Sequence, residues 1–353
     1  MPALPSAPTR SRGRARRLRS VGRSGPVGAG ALVLVAVLAA CGGDDASGAG
    51  DGRLQVVTTV APITSIVSAV GGDLVAVEGL VPEGTDSHTF EPPPSAAAVL
   101  AGADVLFVNG LQLEEPTQDL ADANLPDDAV LVELGDETIT PDRYRYDSSF
   151  PEAGGRPNPH LWTNPPMAVR YAEVVKDTLV DLDPDNAEAY EHNHVAFSAR
   201  VDELDAALRT ATASIDPADR TLLTYHDAYA YFADEYGWEV IGAIQPSDFD
   251  EPSAHEVADL ITQVRDTGVP AIFGSEVFPS PVLEQIGQEA GVRYVDVLRD
   301  DDLPGEPGDD EHSWLGLMRF DYITMVEALG GDASALEAVS LEPTAPDVAE
   351  YPQ

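Results

Sequence analysis

Apolar residues fall into two rhythms along this chain. Short runs rich in valine, leucine, isoleucine and threonine recur at Leu54–Val60, Val75–Val81, Asp104–Asn109 and Val130–Leu134, then at Thr221–Tyr225, Val240–Ile244, Ala271–Gly274 and Tyr294–Leu298. Each has the length of a strand, and the segments between them carry helical patterns, so the alternation predicts βα units on mostly parallel sheets. The runs divide into two groups of four, which predicts two α/β lobes, over residues 54–184 and 216–341.

Between the groups lies the strongest helical signal, from Asp185 to Ile215, bracketed by Asp183-Pro184 and Asp216-Pro217. Its apolar residues Tyr190, Phe197, Val201, Leu204, Leu208, Ala211 and Ile215 are spaced by seven, four or three and share one helical stripe. Such a helix spans roughly 45 Å at about 1.5 Å per residue, long enough to run along both lobes as a stiff connector. Pro151–Pro159 and Pro304–Gly308 read as loops, and residues 342–353 as an irregular tail.

The amino terminus follows neither rhythm. Arg10, Arg12, Arg14, Arg16, Arg17, Arg19 and Arg23 precede a short apolar run, Ala31–Ala40, and no acidic residue occurs before Asp44. This is the layout of a secretory signal peptide over residues 1–40, too short for the ~20 apolar residues of a spanning helix. The run ends in Leu38-Ala39-Ala40-Cys41, which resembles a bacterial lipobox. That resemblance implies that Cys41 is lipidated, becomes the mature N-terminus and holds the protein to the extracytoplasmic face of the cell membrane. Residues 41–53, mostly Gly, Asp, Ala and Ser, then form a flexible tether.

Charge narrows the partners. The 353 residues include 20 Lys and Arg against 61 Asp and Glu, a net charge of −41. Loss of residues 1–40 removes seven basic side chains and no acidic one, leaving a body of −48. Such a surface repels phosphate backbones, so nucleic acid is excluded as a partner. The 43% of hydrophobic residues suffices for a substantial core. One cysteine excludes a disulfide framework and any zinc site built on several thiolates.

Seven histidines remain to be weighed. His192 and His194, two apart on the long helix, diverge by about 200° and cannot hold one ion together. His255-Glu256 lacks a second histidine, because position 259 is Asp259. His88, His160, His226 and His312 each sit in a loop or at a strand end beside Pro, Asp or aromatic residues. Ligand sites of open α/β sheets collect at such junctions, so these four are the candidates to converge.

Three stretches follow in order: His88-Thr89-Phe90-Glu91-Pro92, Asn158-Pro159-His160-Leu161-Trp162, and His226-Asp227-Ala228-Tyr229 continued by Tyr231-Phe232. With the long helix after the second and the lipobox ahead of all three, they resemble the metal-binding lipoproteins of bacterial zinc and manganese ABC importers, from about Leu54 to about Leu329. The resemblance implies two (β/α) lobes joined by a rigid backbone helix, with the metal in the inter-lobe cleft. It implies His88, His160 and His226 as ligands. Histidine at the third position resembles the zinc-type subclass, since manganese-binding members tend to carry glutamate there. The family's fourth ligand is usually an aspartate after the last strand. Asp301 in Asp300-Asp301-Asp302-Leu303 matches best, with Asp300, Asp302 and His312 as alternatives. The His-rich loop of some zinc members is absent, because residues 136–157 carry no histidine.

Three imidazoles and one carboxylate suit Zn²⁺, with Mn²⁺ or another transition metal as competitor, and are poor for Ca²⁺ and Mg²⁺. Four protein ligands leave no position for an activated water, so the chain is expected not to be an enzyme. Asp227, beside His226, and Glu91, three residues past His88, are candidates to orient ring N–H groups. The expected function is a monomeric solute-binding protein that captures Zn²⁺ and delivers it to an ABC permease and its ATPase. The alternatives are a secreted zinc-dependent hydrolase, against which stands the lack of His-Glu-x-x-His and Gly-x-Ser-x-Gly patterns, and a surface adhesin of the same family.

Overall fold

The computed structural model describes residues 52–147, 149–225, 227–243, 253–275 and 280–353. The expected signal peptide, Cys41 and the expected tether up to Asp51 lie outside the described residues. Among the described residues, eight strands occur where the apolar runs predict them: β1 Leu54–Thr58, β2 Val75–Gly79, β3 Val105–Val108, β4 Val130–Glu133, β5 Thr221–Thr224, β6 Glu239–Ala243, β7 Ala271–Ser275 and β8 Arg293–Leu298. In the first lobe the helices are α1 Ala61–Gly71, α2 Ala96–Leu100, α3 Glu115–Asn124, α4 Leu134–Thr138 and α5 Pro165–Leu182. They are followed by α6 Ala187–Ser214, α7 Ala230–Tyr236, α8 Ala254–Thr267, α9 Pro281–Ala290, α10 Trp314–Ala328 and α11 Ser334–Glu337.

The fold is α/β with parallel sheets and one long helix. The first sheet has the order β2-β1-β3-β4, parallel throughout, with Val56 level with Val77 on one side and Val105 on the other. Period-two alternation sends Val56, Val105 and Phe107 into the core shared with α1 and α5, while Val57, Leu106 and Val108 pack with Leu100 and Ala121 of α2 and α3. In the second lobe β5 pairs with β6 and β7 with β8, all parallel, and β5 runs beside β7. Leu223 and Ile272 pack against Ile261, Val264, Leu283 and Ile286 of α8 and α9, and Leu222, Ala271 and Phe273 face the opposite side.

Helix starts carry local reasons. Asn164 accepts from the Met167 N–H ahead of α5, whose first turn holds Pro165 and Pro166, and Ser253 with Glu256 forms a capping box at α8. The long helix α6 runs 28 residues, about 42 Å at ~1.5 Å per residue, and its predicted stripe is buried from Tyr190 to Ala211. It packs against α1 and α5 of the first lobe and against α10 and α11 near the C-terminus.

Aromatic groups join the two halves. Trp162 and Trp314 are fully buried, the Trp314 indole donates to the Trp162 carbonyl at 3.0 Å, and the Tyr322 hydroxyl donates to the Thr163 carbonyl at 2.6 Å. The tail after α11 has no regular element, yet it returns to the first sheet, where Glu350 pairs with Glu78 beside β2. Among the described residues no helix is long and apolar enough to cross a membrane.

Candidate metal centre

His88 lies in the loop that leaves β2, and His160 precedes the short turn Leu161–Thr163 that leads into α5. Their Nε2 atoms stand 3.0 Å apart, with ring centroids at 4.9 Å and planes inclined by 62°. Phe150 packs 5.5 Å from the His88 ring and 5.7 Å from the His160 ring, and Trp162 stands edge-on to His160 at 5.0 Å. His160 is fully buried. The His88 N–H donates to Asp86 Oδ1 at 2.9 Å, an Asx-type contact that fixes the loop beside the ring.

Asn158 orients His160. Its Oδ1 accepts from the His160 backbone N–H at 3.0 Å and from Nδ1 at 2.9 Å. Its amide nitrogen donates to Asp147 Oδ2 at 2.9 Å and to the Asp227 carbonyl at 2.6 Å. Both partners of the nitrogen are acceptors, which fixes the amide orientation, so Oδ1 must receive an Nδ1–H from the imidazole. The neutral ring therefore presents the Nε2 lone pair to His88.

A buried turn of three aspartates approaches from β8. Asp300 has a left-handed backbone, φ 53°, a conformation aspartate tolerates better than most side chains. The Trp162 indole donates to the Asp300 carbonyl at 3.0 Å, tying this turn to the His160 segment. The Tyr229 hydroxyl lies 2.9 Å from Asp300 Oδ1 and 2.8 Å from Asp321 Oδ2. Burial pushes Asp300 up to about 7 and Asp321 up to about 8, the latter reinforced by the Asp300 charge. Asp301 is raised well above the carboxylate range by burial and then by its Asp300 and Asp302 neighbours, while Ser87 opposes the shift by donating to its Oδ2 at 2.8 Å. Both oxygens of Asp302 accept from the Gly84 N–H at 2.9 Å. Asp301 Oδ1 accepts no hydrogen bond among the described residues.

The other candidates divide. His226 lies outside the described residues. Its neighbour Asp227 is buried, raised by burial and by the Asp147 charge, and reaches the site through its carbonyl on Asn158. Glu91 is exposed and makes no hydrogen bond to His88 among the described residues. His312 is buried against Glu83, with Nε2 at 3.1 and 3.3 Å from the two carboxylate oxygens, so this nitrogen is directed at Glu83 and not at the His88–His160 pair. Among the described residues no group of three or more His, Cys, Asp or Glu side chains closes on a common point.

Residue-level reading of the sequence passed over Ser87, Asn158, Tyr229 and Asp321, and also a support behind them. Glu114, fully buried, accepts from Thr59 Oγ1 at 2.6 Å and from the Asn109 and Gly110 N–H groups at 2.8 and 3.2 Å. Gly110, Leu111 and Gln112 that follow all have positive φ, an unfavourable backbone held by this carboxylate and by Asp136. The Asn109 side chain donates to the Pro159 carbonyl at 2.9 Å, directly before His160. Leu111 and Gln112 line a cavity of about 150 Å³ with His88, Phe150, Arg156 and Pro159. The Asn-Gly pair and Asn-Pro-His were legible signals for turns, but not for these partners.

A buried imidazole with a fixed tautomer, paired with the half-buried His88 beside a carboxylate turn, has the donor chemistry of a transition-metal site. The family model described as "ZnuA: Zinc-uptake complex component A periplasmic" matches residues 56–328. The chain belongs to this family. Among its relatives, the manganese-binding lipoprotein MntA of Halalkalibacterium halodurans is 27% identical over 299 residues, covering 84% of this chain and 96% of its own. The iron-binding protein YfeA of Yersinia pestis is 28% identical over 278 residues, covering 79% and 87%. The solved structure of the periplasmic zinc-binding protein TroA from Treponema pallidum superposes with a TM-score of 0.71 at 28% identity, covering 79% of this chain and 99% of that one. This family member is a metal-binding, solute-binding protein of ABC import. The relatives' names divide among manganese, iron and zinc, so kinship fixes the class of cargo and leaves the element to the chemistry of the site.

Proposed function

We propose that the protein captures Zn²⁺ outside the cytoplasm, held to the membrane through lipidated Cys41, and passes it as a monomer to an ABC permease driven by its ATPase. The observation that carries this reading is the His88–His160 pair, with Nε2 atoms 3.0 Å apart and the His160 lone pair fixed by Asn158. Tetrahedral zinc with Zn–N bonds of about 2.0–2.1 Å separates two imidazole nitrogens by roughly 3.3 Å, so the pair needs to open only slightly. His226 supplies a third imidazole, the feature that favours zinc over manganese, and Asp301 completes the shell through Oδ1. Ser87, hydrogen-bonded to Asp301 and adjacent to His88, supports that assignment. Lobes over residues 54–184 and 216–341, hinged on the helix 185–215, enclose the cation. A shell closed by four protein ligands captures and releases without turnover.

The test is metal content after purification, with titration by Zn²⁺ and Mn²⁺ in competition. Wild type should bind one zinc in preference to manganese, His88→Ala should lose it, Asp301→Ala should bind weakly, and His312→Ala should retain it. Equal metal in wild type and His88→Ala would remove the site. Preference for manganese would overturn the zinc assignment while leaving the transport class intact.

A further inference from the structure

The C-terminal tail reaches the loop that carries His88. It first lines the free edge of the first sheet, where the Gly79 N–H donates to the Glu350 carbonyl at 3.0 Å and the Glu350 N–H to the Val77 carbonyl at 2.9 Å. It then holds the loop itself. The Glu83 N–H donates to the Pro352 carbonyl at 3.1 Å, and the Gln353 side-chain amide donates to Glu83 Oε2 at 2.6 Å. The same carboxylate faces His312 Nε2 at 3.1 and 3.3 Å, from the loop that opens α10. Tyr351 packs edge-on against the His312 ring, with centroids 4.6 Å apart and planes at 84°. One side chain, Glu83, thus ties together the His88 loop, the segment before α10 and the last residue of the chain.

These ties have few substitutes. Residues 80–90 form no helix or strand. Among the described residues, the main-chain N–H groups of residues 82–86 that are hydrogen-bonded are those of Glu83, to Pro352, and Gly84, to Asp302. Leu80 and Val81 are still held by the Thr58 and Thr59 carbonyls, and from Pro82 to the Ser87–Asp301 contact the loop is held by the tail and by the aspartate turn.

We propose that Glu83, braced by Gln353 and His312, is a positioning residue for His88 that sets how long the metal stays bound. The inference rests on the reading of His88 as a metal ligand. A loop freed at Glu83 samples more conformations, the fraction with His88 in place falls, and apparent affinity falls by the same fraction.

The experiment uses the full-length protein and Zn²⁺. Dissociation into excess chelator is followed by stopped flow, and thermal melting of the metal-free protein is recorded in parallel. Glu83→Ala should speed dissociation by about tenfold, the lower end of effects seen behind metal ligands. Glu83→Gln keeps an acceptor for His312 and should recover part of the slow rate. Gln353→Ala removes the amide's bond to Glu83 and its long one to the Tyr351 carbonyl, and should speed release by a smaller factor with little change in melting, which keeps the test decisive if Glu83→Ala folds poorly. Melting that falls in both alanine variants while dissociation stays within twofold of wild type would make the contact purely structural and overturn the inference. Failure of wild type to bind zinc would remove the functional reading first and this inference with it.

Discussion

Replacing Asn158 by alanine strips four hydrogen bonds from a buried position and tests the orientation of His160 directly. The variant leaves the His160 N–H, its Nδ1–H and the Asp227 carbonyl without their partner. Orphaned buried groups cost about 1–3 kcal/mol each, and the space left by the amide admits water, so a loss near the low end, about 3 kcal/mol in total, is expected in urea unfolding of the metal-free protein. The effect on metal binding has a separate origin. Without an acceptor at Nδ1 the ring is free to turn and to place its proton on Nε2, and removal of such a partner lowers affinity about 10–100-fold, or roughly 1.4–2.7 kcal/mol. Asn158→Asp separates the two effects. It keeps an acceptor for His160 but turns the donor toward Asp147 and the Asp227 carbonyl into a second acceptor, so it should unfold more easily than wild type while binding zinc better than the alanine variant. Chelator competition at neutral pH reads the affinity. Wild-type zinc affinity in Asn158→Ala would show that Asn158 does not prepare His160 for metal, and the tautomer argument would fail.

Two further outcomes follow from titration. Glu114 is pushed by burial from 4.5 up to about 7, so the folded chain binds more protons than the unfolded chain between those values, and its stability falls as pH rises through that window. The difference amounts to about 3 kcal/mol, and Glu114→Gln should reduce the pH slope of urea-derived stability by that amount, whereas identical slopes in wild type and variant would refute the assignment. Metal affinity should move the opposite way: imidazole binds only when neutral, so zinc affinity should drop below a pH of about 6.5, and equal affinities at pH 7.5 and 5.5 would contradict a histidine site.

The central strands were legible because they are buried on two faces, which leaves continuous apolar runs such as Val105–Val108 and Ala271–Phe273, and the long helix because its stripe from Tyr190 to Ala211 is buried along its length. Histidines at strand ends were legible as types at junctions. Their supports were not. Asn158 and Asp147, Ser87 and Asp301, and Glu83 and Gln353 are separated by 11, 214 and 270 positions, and no periodicity links residues that only tertiary packing brings together. The tail is irregular as expected, but its role was hidden for a related reason: its hydrogen bonds go to β2 and the His88 loop, and local sequence carries no trace of them.

The aspartate run is the clearest case of identical residues with different physical work. In sequence Asp300, Asp301 and Asp302 are interchangeable, and family resemblance alone leaves the register open. The positive φ at Asp300 bends the chain so that successive side chains reach different partners. Asp300 turns inward to Tyr229, in a contact that includes Asp321. One hydroxyl proton cannot serve two carboxylates, so burial raises both acids until one keeps a proton of its own. Asp302 spends both oxygens on the Gly84 N–H and thereby fixes the start of the His88 loop. Asp301 alone pairs one oxygen with Ser87 and leaves the other without a hydrogen bond among the described residues. Burial and the neighbouring Asp300 and Asp302 carboxylates disfavour the charged form of Asp301 unless a cation joins it, and a cation that arrives displaces the proton that burial favours. Neutralising Asp300 or Asp302 should therefore act on folding and on loop position, whereas neutralising Asp301 should act on the metal itself.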